Sequence, residues 1–253
     1  MTLMLVLVLF WAVFVNSLVS SGTETTDNIS GTYAVFKGMH YANKTTVEWG
    51  HNSQTEWKVT VSFSQACASY NSSSSDVPCS DDAWYGDYNK LWGKSRCGYL
   101  HDHHEDSDRF VWRRCMNDAD ANVPDCIELA AYSYDGGVAP YTGQNPKLLQ
   151  AFTTTILPNT RITLGMDMHA DGNTLFTLYA PFPSPLSYPY SNPNLNPNTN
   201  TTRYDAETGT EIETQTTVHD TLCEDNYYEG TVNGLYYGGT CRAPEDVVVE
   251  YES

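Results

Sequence analysis

Apolar and polar residues alternate with period two along much of the chain. In EWKVTVSF (56–63), Trp57, Val59, Val61 and Phe63 fall on one side and Lys58, Thr60 and Ser62 on the other, as in a strand with one buried face. In TRITLGMDMH (160–169), Ile162, Leu164, Met166 and Met168 alternate with Thr163, Gly165, Asp167 and His169. Asp171-Gly172 then tolerates positive φ, and TLFTLYA resumes at once, so residues 161–180 are predicted to form a hairpin. RFVWRRC and CIELAAYSYD predict a second hairpin, closed by a disulfide between Cys115 and Cys126. Further strands are expected over 32–39, 44–49, 211–218, 227–238 and 245–251, with one short helical turn over 81–91. Many short strands separated by turn residues predict an all-β fold, an antiparallel β-sandwich or jelly roll. Residues 181–202, PFPSPLSYPYSNPNLNPNTNTT, are dense in Pro and Asn and predict a long exposed loop. A domain boundary there would leave a small C-terminal piece, so 22–253 is expected to be a single domain.

The first segment breaks the alternation. Residues 3–15, LMLVLVLFWAVFV, are uniformly apolar and lead into SLVSSGTETT. This predicts a signal peptide over 1–21, with Val19 and Ser21 at the small positions before a cut near Gly22. No Lys or Arg precedes Lys37, which is atypical; a retained signal anchor is the alternative, although the run falls short of the roughly 20 apolar residues of a spanning helix. No other stretch is apolar enough to span, so no membrane span is expected after signal removal. Asn-x-Ser/Thr sequons at Asn28, Asn43, Asn71 and Asn200 fit export and glycosylation. The cysteines contain no Cys-x-x-Cys pair, which leaves zinc ribbons and thioredoxin-type sites without support. In an oxidising compartment, proximity favours disulfides Cys67–Cys79, Cys115–Cys126 and Cys223–Cys241, with Cys97 left over.

Charge narrows the partners. The chain has 13 Lys and Arg against 31 Asp and Glu, a formal net charge of −18. Nucleic acid and anionic membrane surfaces, both polyanions, are poor partners for it. Aromatics make up 13% of residues, with 18 Tyr, so the acidity is not that of a disordered tail.

Candidates for chemistry are few, since phosphate-binding, nucleophile-elbow and His-Glu-x-x-His motifs are lacking. LHDHHEDSDR places His101, His103 and His104 beside Glu105, Asp106 and Asp108; an extended chain would put His101 and His103 on one face, with His169 or His219 as a third metal ligand. The simpler reading is a solvated polar loop. NDADANVPD gathers Asp118, Asp120, Asn122 and Asp125 as oxygen donors suited to calcium. It departs from an EF-hand loop at Val123 and Leu129, and an acidic hairpin tip kept soluble by its charges is the simpler reading. Glu56, Glu128 and Asp167, on expected strands, could form a glycosidase-like carboxylate pair, and Cys97 a thiol nucleophile, but neither has a motif behind it.

Residues 88–134 carry a further pattern: Asn89-Lys90-Leu91-Trp92-Gly93, then His103-His104, Ser107, Arg109-Phe110-Val111-Trp112-Arg113, and Ile127-Glu128-Leu129 with Ala131-Tyr132. This resembles a group of uncharacterised secreted and phage-encoded proteins. The resemblance implies a β-sandwich in which His103, Ser107, Arg109 and Trp112 are structural, and it implies no catalytic residue.

Three functions fit. The first is a secreted binding module for glycan or another extracellular ligand, with Trp84, Tyr85, Trp92, Tyr132 and Tyr134 among the aromatics able to stack on sugar rings, as Tyr88, Tyr141, Tyr227, Tyr228, Tyr236 and Tyr237 also could. The second is a structural protein of an extracellular matrix, wall or mineralised layer. The third is a polysaccharide-acting enzyme.

Overall fold

The alternation builds two antiparallel sheets packed against each other. The computed structural model describes residues 30–43, 56–69, 88–97, 104–115, 125–138, 145–181, 201–220, 222, 235–237 and 242–252. In chain order the elements are β1 (Gly31–Val35), β2 (Glu56–Phe63), the short helix α1 (Gln65–Ser69), β3 (Asn89–Ser95), β4 (Ser107–Arg114), β5 (Ile127–Tyr134), a 3-10 turn (Pro146–Leu148), β6 (Leu149–Ala151), β7 (Arg161–Met168), β8 (Asn173–Pro181), β9 (Thr201–Asp205), β10 (Thr210–Val218) and β11 (Val247–Glu252). The larger sheet has seven strands in the order β1-β11-β2-β7-β8-β10-β9; the smaller is a four-stranded meander, β3-β4-β5-β6. The protein is an all-β sandwich.

The predicted alternation is the observed burial. Trp57, Val59, Val61 and Phe63 of β2, Ile162, Leu164, Met166 and Met168 of β7, and Phe176, Leu178 and Ala180 of β8 point into one core. The smaller sheet answers with Phe110 and Trp112 of β4 and Leu129 and Ala131 of β5. Ring contacts cross between the sheets at Phe63–Trp112 (5.5 Å) and Phe110–Phe176 (5.0 Å), each adding about 0.5–1.5 kcal/mol beyond the area buried. The Tyr251 hydroxyl, on β11, donates across the interface to the Leu91 carbonyl at 2.9 Å.

Both predicted hairpins form. β7 pairs with β8 around Gly172 (φ +88°), and β4 pairs with β5 beside the Cys115–Cys126 disulfide. Of the Pro/Asn-rich stretch, residues 182–200 lie outside the described residues; β8 before it and β9, β10 and β11 after it belong to the same sheet. The helical turn predicted over 81–91 is corrected where it is described: Asn89–Leu91 begin β3, because pairing with β4 outweighs local propensity. Lys90 pairs with Val111 and Trp92 with Phe110, so Leu91 is the extra residue of a β-bulge. Gly93 follows, where a Cβ would meet the Asp108 carbonyl and the Arg109 Cβ at 2.3 Å, so only glycine lets β3 come this close to β4. Residues 81–87 of that expected turn lie outside the described residues, and a short helix not expected from the sequence, α1, forms at 65–69. The signal peptide, strand 44–49 and most of 227–238 lie outside the described residues, among which no helix is long and apolar enough to cross a membrane.

The cysteine assignment also changes. Cys67 is a free, buried thiol, so the expected Cys67–Cys79 disulfide does not form. α1 turns Cys67 inward, where its Sγ donates to the Val248 carbonyl at 3.3 Å; pairing by sequence proximity ignored that direction. Cys97, expected to be odd, is disulfide-bonded, to a cysteine outside the described residues, where Cys79, Cys223 and Cys241 all lie. Burial pushes the Cys67 thiol up to about 11, which suppresses the reactive thiolate. Cys67 should therefore resist iodoacetamide in native protein and label fully in denaturant. Peptide mapping that finds Cys67 labelled natively, or in a disulfide, contradicts this seating.

Candidate functional site

The inward face of β10 is polar. Glu213, Gln215 and Thr217 alternate into the sandwich, and His219 continues the row just past the strand; all four are buried. Each finds a partner on the facing sheet or the segment after it. Glu213 accepts from the backbone N–H groups of Thr153 (2.6 Å) and Thr154 (2.8 Å). Gln215 donates to the Ala151 carbonyl at 2.8 Å, and Thr217 Oγ1 lies 2.8 Å from Ser133 Oγ on β5. Most buried polar groups are satisfied in this way, and a satisfied row fixes how one sheet seats on the other.

The row ends in a charged cluster built from both sheets. Asp108 points inward from β4; its Oδ1 accepts from His219 Nε2 at 2.7 Å and from Ser133, and its Oδ2 accepts from Arg96 Nε at 2.6 Å and from Thr174 Oγ1 on β8 at 2.8 Å. Arg96, just past β3, also donates to Thr174 and to the Asn173 carbonyl. Asp106 shares the inward direction of Asp108, two residues away. Asp135 lies one position beyond the Ser107–Tyr134 pair of β4 and β5, which sets it beside Asp106. Its Oδ2 accepts from the Asp220 backbone at 2.7 Å. His219 is placed by the β7–β8 turn, since its backbone N–H donates to the Gly172 carbonyl at 3.0 Å and a Cβ on Gly172 would come within 2.8 Å of the His219 carbonyl.

His219 thus sits between carboxylates, with Nδ1 3.0 Å from Asp106 Oδ1 and 3.9 Å from Asp135 Oδ1. Burial alone would push the imidazole down, but Asp108 and Asp106 overcome this and hold it up at about 9. Burial likewise opposes charge on Asp108, yet His219 and Arg96 keep its carboxyl well below the usual range. Asp106 moves up, because burial outweighs the His219 beside it. Asp106, Asp135 and His219 offer three ligand atoms within 4.8 Å of one another and are the group that could hold a metal among the described residues.

The sequence candidates divide around this cluster. Of the His/acid segment, Asp106 and Asp108 are brought together with His219, whereas His104 stands on the outer face, 3.3 Å from Lys90 Nζ; His101 and His103 lie outside the described residues. His169 pairs instead with Asp167, at 3.3 Å. Of the calcium candidates, Asp118, Asp120 and Asn122 lie outside the described residues, and Asp125 accepts from Gln65 Nε2 at 2.8 Å. Glu56 and Asp167 are cross-strand partners on the outer face of the larger sheet, while Glu128, on the other sheet, is ion-paired with Arg113 at 2.7 Å. Among the expected sugar-stacking residues, Trp92 is buried in the core because the bulge turns it inward, and Tyr132 and Tyr134 are buried in an outer-face cluster with Val111 and Ala130. Trp84 and Tyr85 lie outside the described residues.

A partly exposed aromatic row lies at the β3 edge. Tyr41 pairs with Tyr236, and Tyr236 with Lys90, so the three side chains share the outer face of the smaller sheet. Tyr41 is 65% exposed and meets the Tyr236 ring edge-on at 5.1 Å; His40 stacks on Tyr236 at 5.6 Å. Lys90 Nζ lies over the Tyr236 ring at 5.2 Å, and His104 meets Tyr134 at 5.1 Å.

Comparisons with protein-family models, curated proteins and solved structures find no match.

His219 gives the fold a pH signature. A group raised in the folded state stabilises fully below its ordinary value, near 6.5, and that stability is lost as pH rises through about 9. In chelator-treated protein, urea unfolding should show stability falling between pH 6.5 and 9 by on the order of 3 kcal/mol relative to His219→Gln. Parallel pH profiles for the two proteins would contradict this.

Proposed function

We propose that the protein is a secreted acidic glycoprotein whose sandwich serves as an extracellular binding module, with glycan as its ligand. The row of exposed Tyr41 with half-buried Tyr236 and Lys90 carries this reading. Sugar rings present C–H faces that stack on aromatic rings and hydroxyls that need donors and acceptors at the rim. Tyr41 offers the flat face, Tyr236, itself stacked with His40 and covered by Lys90, backs it edge-on, and Lys90, His40 and His104 stand beside them as polar partners. Backbone bridges tie Tyr41 to Tyr236 and Tyr236 to Lys90 of β3, which limits the conformational entropy lost on binding. The net charge of −18 disfavours polyanionic glycans at long range, so neutral sugars suit the site best.

Export fits the same reading. The apolar leader, the sequons and the Cys115–Cys126 disulfide are features of a secreted chain. The Asn43 side chain is exposed, and its Oδ1 accepts from the Ala34 N–H at 3.0 Å, which leaves Nδ2 as the atom for a glycan.

A glycan array with the secreted protein tests the proposal. Wild type should retain neutral oligosaccharides, and Tyr41→Ala should weaken that binding by about tenfold, the size of one aromatic stacking contact, without lowering the melting temperature. No binding by wild type, or unchanged binding by Tyr41→Ala, overturns the reading.

A further inference from the structure

The geometry points to a buried divalent transition-metal site, with zinc the best-fitting ion, formed by His219 Nδ1, Asp106 Oδ1 and Asp135 Oδ1. It is independent of the glycan reading and lies on the opposite, inward face of the smaller sheet.

Spacing supplies the first argument. Two metal–ligand bonds of about 2.1 Å at the tetrahedral angle separate their donor atoms by about 3.4 Å. The Nδ1 distances to Asp106 Oδ1 and Asp135 Oδ1, 3.0 and 3.9 Å, bracket that value.

The second argument is an unmet bonding requirement. With Nε2 taken up by Asp108, the Nδ1 of a neutral imidazole is an acceptor that faces a second acceptor, Asp106 Oδ1, at 3.0 Å; both atoms are fully buried and neither has another hydrogen-bond partner. The sulfur 3.5 Å from Asp106 Oδ2 belongs to disulfide-bonded Cys97 and has no proton to give. A buried polar atom without a partner costs about 1–3 kcal/mol, and more when charged, so two converging on one point call for an occupant. A cation bonded to both removes the deficit.

The surroundings are those of a ligating histidine. A metal-bound imidazole typically donates its other N–H to a carboxylate, which fixes the ring and leaves the ligating nitrogen bare. Here Nε2 is bound to Asp108, itself held by Arg96, Ser133 and Thr174. Charge agrees: with neutral imidazole, Asp106, Asp108 and Asp135 against Arg96 leave two uncompensated negative charges, and a dication closes them. Imidazole with carboxylate favours zinc over calcium or magnesium, which take mostly oxygen ligands in larger number. The ligand side chains of His219, Asp106 and Asp135 are 0%, 1% and 7% exposed, so the ion would hold chain segments together rather than meet a substrate. Asp135, the least buried, marks the way in.

The test uses the full secreted chain, stripped with chelator and titrated with zinc. Calorimetry and elemental analysis should give one tightly held zinc per chain, and at free zinc a hundredfold above Kd the melting temperature should rise by about 5–10 °C. Asp135→Asn, isosteric and still able to accept from Asp220, should keep the fold and weaken zinc at least tenfold; His104→Ala, on the outer face, should leave it unchanged. Equal melting in zinc and chelator overturns the site. So does stoichiometric zinc that survives Asp135→Asn, which would place the ion on surface histidines.

Discussion

Asp108 is a carboxylate with no access to water, and the seating of one sheet on the other depends on keeping it satisfied. Its two oxygens accept from groups on β5, on β8, past β3 and past β10, so four separate chain segments converge on one side chain. An isolated charge in such a place would cost several kcal/mol, and removing one partner of a buried pair typically costs about 3–5 kcal/mol. An apolar interface tolerates sliding, whereas a row of directional bonds accepts one register. The polar row along β10 therefore sets alignment, and the apolar core, with Phe63, Trp112, Phe110 and Phe176 in contact across the sheets, supplies the burial.

The two jobs of the smaller sheet follow from strand alternation. Inward residues of β4 and β5 carry the core and Asp108; outward ones carry Val111, Ala130, Tyr132 and Tyr134. Because both faces of these central strands are buried, the outward aromatics there form a second cluster. At the β3 edge, where Tyr236 and Tyr41 extend the pairing, the same face reaches solvent at Tyr41, and that is where the proposed sugar platform lies.

Strands whose inward residues are apolar were legible from the sequence, as β2, β7 and β8 show. β10 was legible as a strand but not in what it does. Glu213, Gln215, Thr217 and His219 alternate as regularly as any apolar set, and a pattern read by hydrophobicity assigns such residues to water. The signal was period two in residues able to bond, beside an Asp-x-Asp spaced to meet them. His219 could be named as a possible ligand, but its partners could not, since the register that sets Asp135 beside Asp106 belongs to β4 and β5. The bulge that turns Trp92 inward, and the direction of Cys67 on α1, leave no mark in alternation either.

The claim that this buried pair aligns the sheets is tested most directly by a double-mutant cycle on His219→Gln and Asp108→Asn, with unfolding free energies measured in chelator at pH 6.5. A cooperative pair predicts a coupling of about 2 kcal/mol or more, the double variant losing far less than the sum of the single losses. Losses that add to within about 0.5 kcal/mol would contradict the account, leaving apolar packing alone to seat the two sheets.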